Sequence, residues 1–452
     1  MDEPDTTVDP DAATATTATT AAATTAAPAA PTTPTAPTAP TTGVSRRTLL
    51  GSAGAGLALG ATGGALAADA AATHRNTGSA VPAGSAAPTL GTAATPFHGP
   101  HQAGILQPQQ ARALLAAFDL ADGAGRDGLR TLMRTWSATA ALLAEGKPAG
   151  EHENQIALDA GPCALTVTFG FGPSLFDRTG LADRRPAALT PLPDFPGDAL
   201  DRSRGDGDLW VQIGADDALV AFHALRVLQR QAAGLASLRW QMSGFHRTPG
   251  ATARPMTGRN LMGQVDGTNN PKPTDPDFTA RVFAAGPECP DWLTGGTYAV
   301  VRRIRMLLDN WESLPTDRQE RVIGRRKSDG APLSGGSEST PVALDAVNPD
   351  GTFAIPADAH VRVAAPAANG GAAMLRRGFS YHDGLLPDGS PDAGLLFVAY
   401  QADPARGFVP VQRKLSRGDG LSRFLRHEAS GLYAVPPGAP QGGYVGQALL
   451  DG

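Results

Sequence analysis

Three stretches of this chain carry residue types that could do chemistry together. The first is Gly263-Gln264-Val265-Asp266-Gly267-Thr268-Asn269, where one carboxylate sits among glycines. Glycine supplies positive φ and Asp bonds its own backbone, so the local reading is a turn. The second is His360, which follows Ala357-Asp358-Ala359 and opens a strand-like run, Val361 to Ala365, closed by Pro366. The third is Arg376-Arg377-Gly378. A carboxylate beside a guanidinium can move a proton on a peroxide and stabilise charge on its departing oxygen. A lone histidine can ligate iron when a porphyrin supplies the other four donors. Taken singly, the three have plainer readings: a turn, a buried structural histidine and a cationic loop.

Other chemistries find less support. No HExxH, paired histidine or carboxylate spacing points to a mononuclear metal site. Gly336-Ser337 runs into Glu338-Ser339 and so makes no G-x-S-x-G, and no P-loop or G-x-G-x-x-G lies between a strand and a helix pattern. His246 and the remaining histidines lack a partner pattern. Cys163 and Cys289 have neither CxxC nor Cys/His spacing, which speaks against zinc and leaves one bridge or two free thiols open. A net charge of -5, with no basic stripe, argues against nucleic acid as a partner.

Positioning these groups falls to the part of the chain beyond a long N-terminal region. Residues 1–44 are mostly Thr, Ala and Pro, too poor in apolar surface to offset chain entropy, and are predicted to be disordered. Ser45-Arg46-Arg47-Thr48-Leu49-Leu50 then precedes a mild Ala/Gly/Leu run and an A-x-A site at Ala65-Leu66-Ala67. Over 45–67 this reads as a Tat export signal. The Tat translocase is therefore an expected partner, a periplasmic, cell-envelope or extracellular location is expected, and the glycine-diluted run is too weak for a membrane span. Because Tat carries folded proteins, the route itself hints at a cofactor. Residues 68–95 read as a flexible linker.

Two halves follow, 96–257 and 258–452. In the first, Arg112 to Leu120 fits either a helix or a buried strand. Leu129, Leu132, Met133 and Trp136 mark an amphipathic helix, and Leu165, Val167, Phe169 and Phe171 alternate as a strand. Leu209, Val211 and Ile213 form a strand ending at Asp216-Asp217, whose carboxylates cap a helix through Leu228; Trp240 to Phe245 returns as a strand. In the second half Tyr298 to Met306 alternates, a helix follows Asp309-Asn310, and Leu396 to Tyr400 leads through Asp403 into a helix from Phe408 to Leu415. Leu209 to Asp216 and Leu396 to Asp403 are parallel in pattern. Duplication of a split βαβ unit follows, giving an α+β chain of two tandem ferredoxin-like domains.

The motifs resemble those of the dye-decolorizing peroxidases, most closely their Tat-exported, iron-uptake-associated deferrochelatase/peroxidase class. The matching segments run in order: 97–105 (FHGPHQAGI), 165–176 (LTVTFGFGPSLF), 194–198 (DFPGD), 260–268 (NLMGQVDGT), 295–304 (GGTYAVVRRI), 358–362 (DAHVR), 375–381 (LRRGFSY) and 394–401 (GLLFVAYQ). This resemblance implies a dimeric α+β barrel built from the two ferredoxin-like domains, with 112–120 a strand. It implies haem b as cofactor, His360 as the proximal iron ligand, Asp266 as distal acid/base and Arg376 as distal arginine, with Arg377 the alternative. Gly267, Thr268 and Asn269 should line the haem, the glycines letting backbone approach a flat macrocycle. Ala365, Pro366 and Ala367 should line it too. There relatives commonly carry Asn-Pro-Arg, so the usual propionate or channel contact is in doubt.

The implied activity is peroxidation: hydrogen peroxide is reduced and two one-electron donors, such as dyes or phenolics, are oxidised in turn. Trp311, Tyr381 and Tyr400 are candidate surface relays for bulky donors, and Asp403 is a candidate partner for the His360 ring N–H. An Asp base implies an acidic optimum. Two other readings are iron release from haem with the porphyrin intact, serving an iron-uptake system, and a non-catalytic exported haem carrier. A homo-oligomer is compatible with all three.

Overall fold

The computed structural model describes residues 90–252 and 255–452. The tail at 1–44, the twin-arginine segment at 45–67 and the linker up to 89 lie outside the described residues. Residues 90–95, expected to be linker, are bonded to the fold: the Gly91 carbonyl accepts from Cys163 N at 3.1 Å and that of Ala93 from Ala164 N at 2.6 Å.

Nine strands are present among the described residues, all paired antiparallel. They are β1 (Arg112–Leu120), β2 (Thr166–Phe171), β3 (Leu209–Ala215), β4 (Ala236–Phe245), β5 (Thr297–Met306), β6 (Leu375–Arg376), β7 (Phe379–Leu385), β8 (Pro391–Gln401) and β9 (Leu425–Val435). The first half forms a sheet ordered β2-β3-β1-β4, and the second a sheet ordered β9-β5-β8-β7. Each is the ferredoxin-like order, and the two sheets close into one barrel. The seams are slight: β2 meets β9 at Phe171↔Ala434, and β4 meets β7 at Phe245↔Ser380. Within a half the ladders are long, as in β5–β8 from Tyr298 to Arg305.

Arg112 to Leu120 is a strand, and its period of two explains why the sequence alone was ambiguous. Ala116, Phe118 and Leu120 face the outer helices while Ala113, Leu115 and Ala117 face the barrel interior, so nearly every position is apolar. Helices α1 (Gly125–Ala144) and α2 (Ala218–Gln231) cover this first sheet. Trp136 on α1 is fully buried, packs on Phe118 and Phe169, and donates from Nε1 to the Leu228 carbonyl of α2 at 3.0 Å. Asp217 alone caps α2, accepting from Leu219 N and Val220 N at 2.8 and 3.0 Å. Asp216 instead accepts from Ala111 N at 2.9 Å.

The second half lacks a long helix at the matching place. Between β5 and β6 the chain makes α3 (Leu308–Glu312), α4 (Thr316–Ile323) and α5 (His360–Val363), with α6 (Phe408–Gly418) between β8 and β9. Asp309 falls in the first turn of α3 and does not precede the helix. The strand-like run after His360 is not a strand: His360 begins the single turn α5, and Pro366 starts a further 3-10 turn, Pro366–Asn369. No sheet edge reaches this segment, and so short an apolar run has no period to distinguish the two. Both cysteines are free thiols. No helix among the described residues is long and apolar enough to cross a membrane.

Candidate functional site

The Gly263–Asn269 stretch is a tight loop fixed from several sides. Asn260 N donates to the Gln264 carbonyl and Asp266 N to that of Gly258, both at 3.0 Å, while Asn260 Oδ1 accepts from Met262 N at 3.0 Å. Arg259 donates to the carbonyls of Gly263, Lys327 and Ser328, and Trp311 Nε1 to that of Met262 at 3.0 Å. The glycines have a local reason. Gly263 has φ +78°, and a Cβ there would come within 2.6 Å of Lys327 Cε; Gly267 has φ +118°. Positive φ at both, and the lysine stem at Gly263, give each glycine a reason within the protein itself.

Asp266 emerges from this loop against Arg376. Arg376 Nη1 donates to Asp266 Oδ1 at 2.8 Å, and Asn260 Nδ2 reaches Oδ2 at 3.4 Å. Burial alone would push the Asp266 carboxyl up, but the Arg376 charge and these hydrogen bonds hold it below the usual carboxylate range. Arg376 lies on β6, paired at Ala399 of β8. Asn270 clamps its backbone, donating from Nδ2 to the Arg376 carbonyl at 2.7 Å and accepting from Arg376 N at 3.3 Å.

Neighbouring strand residues point to opposite faces, and this separates the two arginines. Arg377 is buried on the other side, donating to the carbonyls of Gln107 and Pro108 and to Gln110 Oε1. Burial pulls its guanidinium down to about 10. Only Arg376 faces Asp266.

On the far side stands His360. Its Nδ1 lies 2.7 Å from Asp419 Oδ2. An ionised carboxylate can only accept, so Nδ1 carries the proton, and in the neutral ring Nε2 is then the nitrogen with the free lone pair. Burial by itself would lower the imidazole, yet the Asp419 charge and hydrogen bond raise it. Asp419 is itself buried and oriented, with Oδ1 accepting from Leu421 N at 2.9 Å. Arg362 anchors α5 by donating to the carbonyls of Ile355, Pro356 and Leu344.

The partner of His360 is therefore Asp419, not Asp403. Asp403 caps its own turn, accepting from Ala405 N at 2.8 Å. Thr268 Oγ1 donates to Glu338 Oε1 at 2.9 Å, and Asn269 is exposed. Ala365, Pro366 and Ala367 follow α5 on the His360 side, offer no polar side chain, and are tied by Asn369 Nδ2 to the Ala365 carbonyl at 2.9 Å. Trp311, Tyr381 and Tyr400 are each fully buried, so none is a surface relay.

A cleft opens beside Asp266, Gly267 and Arg376, with Asn260, Asn270 and His246 on its wall. Asn260, Asn270, His246 and Asp419 escaped the sequence reading. The asparagines act on backbone and carboxylate nearby, for which sequence carries no signal, while the Asp-Gly pair at 419–420 was at least a cap signature before a turn.

Asp266 and His360 are both deep within the chain and feel each other's charge. Even so, 30% of the Asp266 side chain, 32% of Arg376 and 31% of His360 remain uncovered. One pair offers an anionic base with its cation, and the other an imidazole backed by a carboxylate.

Known proteins resemble this chain over both halves. The family models described as Dyp-type peroxidase, N-terminal, and Dyp-type peroxidase, C-terminal, match residues 102–246 and 257–440. A dye-decolorizing peroxidase of Thermobifida fusca is 45% identical over 361 residues, covering 78% of this chain and 84% of its own. A deferrochelatase of Escherichia coli K12 is 38% identical over 371 residues, covering 78% and 87%. DtpA of Streptomyces lividans, solved as an X-ray generated oxyferrous/water mixed complex, superposes with a TM-score of 0.79 at 64% identity, covering 80% of this chain and 99% of its own. This chain, with both family domains and the barrel they build, belongs to the Dyp-type peroxidase family.

Proposed function

We propose that this protein is a haem b peroxidase that reduces hydrogen peroxide at the expense of one-electron donors, with Asp266 as acid/base. The observation that carries the reading is the Asp266–Arg376 ion pair at 2.8 Å, close enough to His360 for the two sites to feel each other's charge. The residues fit the group: Asp419 accepts the Nδ1 hydrogen bond of His360, which leaves Nε2 of the neutral ring as the atom that would hold iron. Bound haem supplies an iron centre that accepts oxidising equivalents from peroxide and passes them on one electron at a time.

The chain's own residues do the rest. Ionised Asp266 takes a proton from one peroxide oxygen and returns it to the other, which leaves as water. Arg376 keeps Asp266 ionised and stabilises the charge that builds on the departing oxygen. Asn260 and Asn270 hold these two groups in register. His360 would hold the iron, and Asp419 fixes its ring.

The test is the absorption spectrum of haem-loaded protein before and after peroxide. Wild type should show a Soret band and a peroxide-driven change, His360→Ala should lose or shift the band, and Asp266→Asn should slow the change. An Asp266→Asn protein that responds as fast as wild type removes Asp266 from the mechanism. A second reading, release of iron with the porphyrin intact, draws on the identity to the Escherichia coli deferrochelatase. Free protoporphyrin among the products marks it, and an iron-uptake system would then be the partner.

The proposal includes export through the Tat translocase, supported by Arg46-Arg47 and the A-x-A site at 65–67. Replacing both arginines by lysine should leave the protein in the cytoplasmic fraction.

A further inference from the structure

One titratable side chain in the cleft takes no part in the chemistry proposed above. His246 follows the last residue of β4 and lines the cleft together with Asp266, Asn260 and Arg376. It is the one histidine on that wall among the described residues. Its backbone N donates to the Ala111 carbonyl at 2.9 Å, which fixes it at the end of the barrel. The edge of its ring rests on Gly258, where a Cβ would strike Nε2 and stand 2.7 Å from Cε1. Gly258 belongs to the turn that holds Asp266, whose N donates to the Gly258 carbonyl at 3.0 Å. This glycine therefore admits an imidazole to the backbone beside the acid/base. His246 is only half-buried and Arg247, next in the chain, is exposed, so the ring links the cleft wall to the surface.

Reduction of peroxide consumes more protons than peroxide carries. In H2O2 + 2 H+ + 2 e− → 2 H2O, the two protons of peroxide leave with the first water, and the second water takes two from outside. Asp266 is a poor store for them, because Arg376 holds its carboxyl ionised. His246 is better placed. Burial lowers its imidazole from the ordinary histidine value and the Arg247 and Arg377 charges add to this, while a hydrogen bond to the Arg247 backbone and the Asp266 charge oppose it. Between its value and that of Asp266 lies a pH window in which the ring is protonated and the carboxylate still ionised.

We infer that His246 is the proton-entry group of the site: it takes up protons from solvent and hands them through the cleft to Asp266, which delivers them to the oxygen that leaves as the second water. The inference rests on the peroxidase reading and adds how that reaction is supplied with protons. In each transfer an imidazolium N–H bond breaks and a carboxyl O–H bond forms, and solvent then restores the imidazolium.

The test uses the haem-loaded full chain and ferrocyanide, a donor that gives an electron and no proton. The balance is then H2O2 + 2 H+ + 2 [Fe(CN)6]4− → 2 H2O + 2 [Fe(CN)6]3−. After the peroxide-driven spectral change, the ferrocyanide-driven return to the resting spectrum is followed by stopped flow against pH. His246→Gln should slow the return about 10²-fold, as for loss of an acid–base group, and should remove the inflection that wild type shows at the histidine. His246→Glu restores a titratable group, so it should recover part of the rate and move the inflection into the carboxylate range. Soret absorbance per chain checks that both variants fold and load. A second readout needs no turnover: diethyl pyrocarbonate acylates the neutral ring, and mass spectrometry of His246 across pH gives its titration midpoint. In Asp266→Asn that midpoint should fall, because the charge that draws a proton onto the ring is gone. A return rate and pH profile unchanged in His246→Gln overturn the inference, and so does a midpoint that Asp266→Asn leaves in place. A peroxide-driven change slowed as much as the return also overturns it, since His246 would then serve the first water. Failure of the underlying reading is separate and visible first: wild-type protein whose spectrum ignores peroxide.

Discussion

The two ferredoxin-like halves share a strand order and differ in how they connect their first two principal strands. In the N-terminal half that connection is dominated by α1, a 20-residue helix whose apolar face seals the sheet. In the C-terminal half it breaks into α3, α4, the single turn α5 and the loops between them. A long amphipathic helix makes core and leaves nothing open. A one-turn helix cannot stand alone, so α5 is held by Arg362 on loop carbonyls and by Asp419 on the His360 ring. What the second half gives up in packing leaves Asp266, Arg376 and His360 partly open. One half is scaffold, and the other is scaffold with its helix exchanged for a site.

This contrast can be broken by substitution. Asp266→Asn should lower the rate of the peroxide reaction by about 10²- to 10⁴-fold, measured by stopped flow, as expected for loss of a general base. Arg376→Leu should cost about 10²- to 10³-fold and should also move the acid limb of the pH–rate profile. The Asp266 carboxyl is held low by Arg376, so its base form persists as pH falls below the ordinary carboxylate range and is lost only at the lowered value. Without Arg376 burial dominates, the carboxyl rises, and the acid limb must shift to higher pH. A limb that stays put would separate Arg376 from Asp266. The linked stability has the same sign: it is present above the unfolded value of about 3.9 and fades as pH drops through the folded one. Asp419→Ala should reduce haem affinity or activity by about 10- to 100-fold, read by haem titration.

The smallest effect on chemistry is expected from the half without a site. Trp136→Ala empties a fully buried position and should cost about 3–5 kcal/mol of stability by denaturant unfolding. Turnover per folded, haem-loaded molecule should stay near wild type. A large loss of turnover there would mean the halves are not divided as described.

Much of the scaffold was legible because its periods are long. Leu129 to Trp136 spans two turns of one face, and the alternation from Leu165 to Phe171 admits only a strand. Legibility failed where a side chain acts on something distant in sequence. Nothing near Asp419 in the chain says that His360 lies 2.7 Å away, and nothing in the sequence ranks it above Asp403, the expected partner. The choice between Arg376 and Arg377 needed the pairing of β6 with β8. The surface role expected of Trp311, Tyr381 and Tyr400 failed on burial alone, since aromatic type does not say which side of a sheet it faces.

The two narrow seams of the barrel carry a mechanical consequence. A cylinder zipped by continuous ladders opens only when it unfolds, whereas one closed by a single pair can breathe along that line. The β4–β7 seam, Phe245↔Ser380, is also a border of the cleft beside Asp266, which is lined by Ser380 and His246. Parting this stitch would widen the mouth of the cleft while Arg376 stayed pinned by β8 and Asn270. Amide hydrogens at Phe245 and Ser380 should then exchange with solvent well before those of Val300 or Val211, and the gate of the site would be a property of the barrel wall itself.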